Sequence, residues 1–118
     1  MSSVGPQLWE VWHARFDFQE GKGYKYRPVI VVGVHPDGSL VMMVTSVGNK
    51  LHLAHDYVLQ DWRQAGLDKP SIARADRIAN IPPGYIGTAG RIGKLSQRDA
   101  AALAAILEAM LRERELGE

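Results

Sequence analysis

Tyr26-Arg27-Pro28-Val29-Ile30-Val31-Val32 is the stretch that decides the fold. Proline fixes its own φ and biases the preceding residue toward extended backbone, so Arg27-Pro28 reads as a strand entrance with a cation at its mouth. The run from Pro28 to Val34 is apolar and β-branched on both faces, as expected of a central strand or one facing a partner. His35-Pro36-Asp37-Gly38 carries the proline and Asp-Gly chemistry of a tight turn. Leu40 to Ser46 then returns antiparallel as the second arm of a hairpin.

Working outward, Leu8 to Phe16 reads as a first strand rich in aromatic and β-branched residues. Asp17 to Lys25, with Gly21 and Gly23 among charges, reads as a mobile loop. Beyond the hairpin, Gly48 to His55 is irregular and Tyr57 to Leu59 is a short strand. Asp61 to Gly66 has the length of one helical turn closed by glycine. Ser71 to Ile81 alternates in part and reads as a strand ended by Pro82-Pro83-Gly84, with another short strand near Arg91-Ile92. Ser96-Gln97-Arg98-Asp99 has the form of a capping box opening a helix to about Arg114. Leu103, Ile106, Leu107, Met110 and Leu111 make its apolar stripe. Short strands followed by one terminal helix predict a mainly β fold, a compact and strongly bent antiparallel barrel with a C-terminal helix.

A chain of 118 residues, 46% hydrophobic and 23% charged, supports one globular domain spanning residues 1–118, with its core at about 7–112. With no cysteine there is no disulfide, thiolate zinc site or cysteine nucleophile, which fits a reducing, cytoplasmic setting. The N-terminus has no signal-peptide pattern, and no apolar run has the length of a membrane span. The net charge of +1 does not announce nucleic acid. Its distribution says more: Arg15, Lys22, Lys25 and Arg27 gather near one loop, whereas Glu113, Glu115 and Glu118 gather at the C-terminus.

The chemistry-bearing residues sit at strand ends: Arg27, then Thr45-Ser46, then Arg74 and Asp76, which alternation places on one face. Guanidinium, hydroxyl and carboxylate together suit phosphodiester chemistry without a metal, because a planar cation fits a phosphate and a carboxylate can move a proton. Each has a plainer reading as well: a surface arginine, a threonine bonded to a turn, an Arg–Asp salt bridge. His52 and His55, three apart without a third ligand, are too few for a metal site. Trp9 and Trp12 can stack on bases but in a first strand are more often core or interface.

Leu8-Trp9-Glu10-Val11-Trp12, the Gly-containing loop to Tyr26, Arg27-Pro28, Val44-Thr45-Ser46, Ser71-Ile72-Ala73-Arg74-Ala75-Asp76 and Arg91-Ile92-Gly93-Lys94-Leu95-Ser96 form an ordered set. In that order the chain resembles the MazF/PemK family of toxin endoribonucleases. The resemblance implies the Src-homology-3-like barrel shared by MazF and CcdB toxins. It also implies a sequence-specific, metal-independent and cofactor-free cleavage of single-stranded mRNA by 2′-hydroxyl attack. Arg27 falls on the family's catalytic arginine and Thr45 on its active-site threonine, with Arg74 and Asp76 on the proposed acid–base pair. Glu20, Lys22, Lys25 and Ser46 are the expected RNA contacts. The chain departs from the PemK pattern in having Glu20-Gly21-Lys22-Gly23 where a His-Glu pair stands. A homodimer and a cognate protein antitoxin are the expected partners. Two rival readings are a gyrase-poisoning toxin like CcdB and a catalytically silent barrel that binds RNA or protein.

Overall fold

The run opened by Pro28 is the middle of a 12-residue strand, β2 (Tyr24–His35). The computed structural model describes residues 5–17, 23–49, 51–86 and 90–116. The other strands are β1 (Glu10–Asp17), β3 (Gly38–Ser46), β4 (Asp56–Val58), β5 (Ser71–Ile81) and β6 (Arg91–Lys94). They form one antiparallel sheet in the order β4-β5-β3-β2-β1-β6. A short helix, α1 (Pro83–Ile86), follows β5, and a long one, α2 (Gln97–Leu116), follows β6. No helix among the described residues is long and apolar enough to cross a membrane.

In the middle of β2, at Val29, Ile30 and Val31, both faces are buried within the single chain. Ile30 and Val32 pack into a cluster with Val11, Met42, Val44, Leu59 and Leu103, on the face covered by α2. Val29 and Val31 pack into a second cluster with Ala14, Val41, Ile81 and Ile86, on the face covered by α1. Val29, Ile30 and Val31 are 0% exposed. Of the two alternatives for Pro28 to Val34, the central strand is the one found: a bent sheet with a helix on each side covers the middle of the run, whereas Val34 is 56% exposed. Three register shifts supply the bend, one each in the β1–β6, β2–β3 and β3–β5 ladders.

The hairpin turn is as expected. Gly38 has φ +147°, and a Cβ there would sit 2.3 Å from the Ile81 carbonyl oxygen, so the turn requires glycine. The loop before β2 is shorter than expected, since Tyr24 and Lys25 already pair with β1; residues 18–22 lie outside the described residues. The Asp61 to Gly66 segment makes one turn, with the Ala65 N–H on the Asp61 carbonyl (3.1 Å) and Gly66 at φ +92°. Trp9 and Trp12 each pack against a core cluster. On α2, Leu103 is buried and Ile106, Leu107 and Met110 are half-buried against the core, but Leu111 is 60% exposed and drops out of the stripe.

At the start of α2 the capping box is only half formed. Ser96 Oγ accepts the Asp99 N–H (3.2 Å), as an N-cap does. Asp99, 0% exposed, turns away and accepts from the Gln60 N–H (3.0 Å), the Asp61 N–H (2.9 Å) and the Tyr57 hydroxyl (2.7 Å). Burial, reinforced by that bond, pushes the Tyr57 phenol up to about 12. Ser96 and Arg98 both donate to Asp61 (2.6 Å; 2.9 and 2.9 Å), so the helix N-terminus is stitched to the segment between β4 and β5. Asp99→Ala removes a buried carboxylate and leaves two part-buried amides and a hydroxyl without their acceptor, and should destabilise the fold by on the order of 3 kcal/mol. Arg112→Ala removes only an exposed pair with Glu108 and should change stability by less than ~0.5 kcal/mol. Denaturant midpoints of the two variants check the contrast; equal midpoints would refute it.

Candidate functional site

The site lies where the sheet forks. The β2–β3 ladder ends at the Val29–Met43 pair. Beyond it, β2 continues with β1 alone through the Arg27–Ala14 pair to Tyr24–Asp17. On the other side β3 continues with β5 alone through Val44–Ala73, Thr45–Ile72 and Ser46–Ser71. Pro28 stands at the fork. Opposite it, the His13 N–H points away to the Gly90 carbonyl (3.1 Å), so His13 and Pro28 form a non-hydrogen-bonded pair. The missing proline amide thus falls on the β3 side, where pairing has already stopped.

Two cavities open at the fork, and Arg27, Pro28, Val44 and Thr45 line both. The larger, about 410 Å³, is also lined by Lys25, Arg74 and Arg77 and by one carboxylate, Asp17, which pairs with Arg15. The smaller, about 230 Å³, adds Ser46, Leu67, Asp68, Lys69 and Ser71. Arg27, Lys25 and Arg77 are exposed, and among the described residues no ion pair or side-chain hydrogen bond engages them. Four cationic side chains around one concavity make it a place for an anion. Glu20 and Lys22, expected at this mouth, lie outside the described residues.

Thr45 is half-buried and its Oγ1 accepts from Asn49 Nδ2 (3.1 Å), which leaves the hydroxyl proton to be donated elsewhere. Asn49 is itself fixed by accepting the Leu51 N–H at 2.8 Å. Nothing in the sequence pattern marked Asn49, because its contact depends on the turn after β3.

Arg74 is 6% exposed and forms the buried back of the larger cavity. Its Nη2 donates to the Leu51 carbonyl and lies 3.4 Å from Asp56 Oδ2. Its Nε and the Asp56 Oδ1 are buried with no hydrogen-bond partner. A fixed guanidinium with part of its donor set unused projects positive potential into the cavity from behind.

Asp76 does not join Arg74. The alternation that placed both on one face fails because Met42 pairs with Ile78 and Met43 with Arg74, leaving Ala75, Asp76 and Arg77 as a three-residue insertion in β5. An odd insertion inverts the alternation: Ala73 and Ala75 belong to the α2-side cluster, Ala79 and Ile81 to the other. Arg77 comes to line the larger cavity and Asp76 lines neither. Asp76 instead accepts the His55 N–H (2.7 Å) and pairs with His55 Nδ1 (2.8 Å), while His55 Nε2 lies 3.6 Å from Glu113 on α2. The hydrogen bond to His55 holds the Asp76 carboxyl below its usual range, and the same bond raises the His55 imidazole above 6.5. No group of three His, Asp or Glu among the described residues could hold a metal ion.

Because the folded-state pKa of His55 is raised, the stability it contributes is full below pH ~6.5 and is lost as pH rises through the folded value. The Asp76 pKa is lowered, so its contribution is present above pH ~3.9 and is lost as pH falls through its folded value. The melting-temperature gap between the wild type and His55→Gln should therefore be widest near pH 5–6 and shrink toward pH 8. A gap that stays constant across this range would mean the pair carries no protonation linkage.

The comparisons accord with this geometry. A family model described as PemK-like, MazF-like toxin of type II toxin-antitoxin system matches residues 7–111. No curated protein matches in sequence. Among solved structures, Mycobacterium tuberculosis toxin MazF-mt6 is similar in fold, with 23% identity, a TM-score of 0.66, and coverage of 87% of this chain and 96% of that one. With the family model spanning the whole sheet and most of α2, the chain belongs to the PemK-like, MazF-like toxins of type II toxin–antitoxin systems.

Proposed function

We propose that the chain is a metal-independent endoribonuclease that cleaves single-stranded mRNA, acting as the toxin of a pair with a protein antitoxin. The observation that carries the reading is the fork, where Arg27 and the Thr45 hydroxyl share one wall with Arg74 and Arg77 close by. A toxin that worked only by gripping a protein such as gyrase would have no use for a cation-lined concavity of this size.

In the proposed reaction the ribose 2′-oxygen attacks phosphorus and the bond to O5′ breaks, leaving a 2′,3′-cyclic phosphate and a 5′-hydroxyl. One proton leaves the 2′-hydroxyl and one is delivered to O5′. Negative charge grows on the non-bridging oxygens as the phosphorane forms. Arg27 is free to meet two of those oxygens with its planar fork. Thr45, its oxygen already held by Asn49, can donate its proton to one of them. Arg74 adds a fixed charge from behind, and Lys25 and Arg77 suit flanking phosphates. Asp76 acts as a positioning residue: through His55 it secures the segment whose Leu51 carbonyl and Asp56 carboxylate hold Arg74. Ser46, which lines the smaller cavity, stays an RNA contact in this reading.

The homodimer implied by the resemblance would cover an exposed apolar groove where Leu8, Trp9 and Val32 face Ala101, Ala104 and Leu111 of α2. Light scattering at micromolar concentration should give twice the chain mass; a monomer mass would remove the dimer from the reading.

Purified protein should cut single-stranded RNA in excess chelator. Activity that disappears with chelator and returns with a divalent ion would overturn the mechanism. Loss of one transition-state donor typically costs ~2.7–4 kcal/mol, so Arg27→Ala should lower cleavage by roughly two to three orders of magnitude. Arg27 is exposed and unpaired, so its melting temperature should barely move. Arg27→Lys should recover only part of the activity, for want of the planar fork. Thr45→Val should act in the same direction but more mildly. Unfolding of Arg27→Ala, or unimpaired cleavage by it, would make Arg27 a structural residue.

A further inference from the structure

The two cavities that share Arg27 and Thr45 differ in chemistry. One is polycationic and suits phosphate. The other, about 230 Å³, has Asp68 and Lys69 as its charged lining beyond Arg27, and its apolar walls include Pro28 and Leu67. That volume is below the ~300–1,000 Å³ of pockets that enclose drug-sized ligands, and suits one flat ring system.

The segment bearing Asp68 and Lys69 is anchored at both ends. On one side the Leu67 N–H bonds to the Trp62 carbonyl (3.0 Å) after the tight turn at Gly66, where a Cβ would meet the Ile92 carbonyl oxygen at 2.6 Å. On the other side the Val47 N–H bonds to the Pro70 carbonyl (3.2 Å), and Ser71 Oγ donates to the Lys69 carbonyl (2.8 Å). Both charged side chains are nonetheless exposed, and among the described residues neither has an ion-pair or hydrogen-bond partner. An acid and a base on successive residues, held at a cavity rim and not paired with each other, are available to a ligand that needs both.

We propose that the smaller cavity is a nucleobase subsite that reads guanine at a nucleotide adjacent to the scissile phosphate. The proposal rests on the endoribonuclease reading, since the shared wall of Arg27 and Thr45 is what places this cavity one nucleotide from the reacting phosphorus. A carboxylate only accepts, and with two oxygens it calls for two neighbouring N–H donors. Guanine alone among the four bases presents them, at N1 and the N2 amino group, with the O6 acceptor beside them for an ammonium. Cytosine and adenine each set one amino donor beside an acceptor nitrogen that would face the lone pairs of Asp68. Uracil offers one N–H flanked by two carbonyls. In single-stranded RNA this edge is open to reading, and the faces of the ring can pack on apolar walls such as Pro28 and Leu67.

The test is cleavage of a random-sequence single-stranded RNA pool, with the 5′-hydroxyl ends sequenced. Guanine should be enriched at one of the two nucleotides flanking the cut. In a defined substrate, replacing that guanine with inosine, which lacks only the N2 amino group, should lower kcat/KM roughly 5- to 150-fold, the range of one good base contact. Asp68→Asn should bring the guanine-to-inosine ratio close to one. Cleavage with no guanine preference on either flank would overturn the inference and leave the endoribonuclease reading standing. So would a guanine-to-inosine ratio that Asp68→Asn leaves at its wild-type value. A protein that cuts no RNA in the pool would sink both.

Discussion

Hydrogen-bond pairing of β2 cannot be continued on both sides at once past Val29, and the candidate site follows from that constraint. β1 and β3 flank β2 through the core, but β3 then turns to stay with β5 while β2 stays with β1. A fork of this kind exposes unpaired backbone donors, which are costly unless solvated or absent. Proline at position 28 has no amide to leave unsatisfied. The same residue that closes one ladder therefore opens the gap, and the side chains on either lip, Arg27 and Thr45, are brought to the same space.

The lips hold their shape because the irregular segments behind them are pinned by buried or half-buried polar groups. Asp99 and Asp61 tie the segment after β4 to the first turn of α2. Arg74, Asp56, His55 and Asp76 tie the segment before β4 to β5. These bonds run between parts of the chain some 20 to 40 residues apart, so each rigidifies a loop that local propensity would leave free. The cost is visible at Arg74 and Asp56, which keep buried polar atoms without partners. Such orphans are uncommon in folded proteins and are tolerated where a charge is wanted at a cavity wall.

The three-residue insertion in β5 has a second consequence. It lets one strand serve two cores, since Ala73 and Ala75 face the α2 side whereas Ala79 and Ile81 face the α1 side. It also exchanges the residues presented to the cavity: Arg77 comes in and Asp76 goes out to His55. The site is more cationic and less acidic than the Arg-x-Asp spacing suggests. That shifts its chemical weight toward binding and stabilising negative charge.

The sequence alone determined the strands and the hairpin, because those rest on near-neighbour rules. Proline before a β-branched run, Asp-Gly at a two-sided turn and serine at a helix start act within a few residues of themselves. It also determined that Thr45 stands near a strand end, and the family pattern around Thr45 and Arg27; Arg27, expected at a strand mouth, lies inside β2, which begins at Tyr24. Only the tertiary structure decided that the two line one wall, that Val29 to Val31 is covered on both faces within a single chain, and that Asn49, Arg77, Asp68 and Lys69 stand around the site. Each of those depends on ladder register and on where pairing stops. A register shift inverts every side chain beyond it, and the residues of β5 give no local sign of where that shift falls.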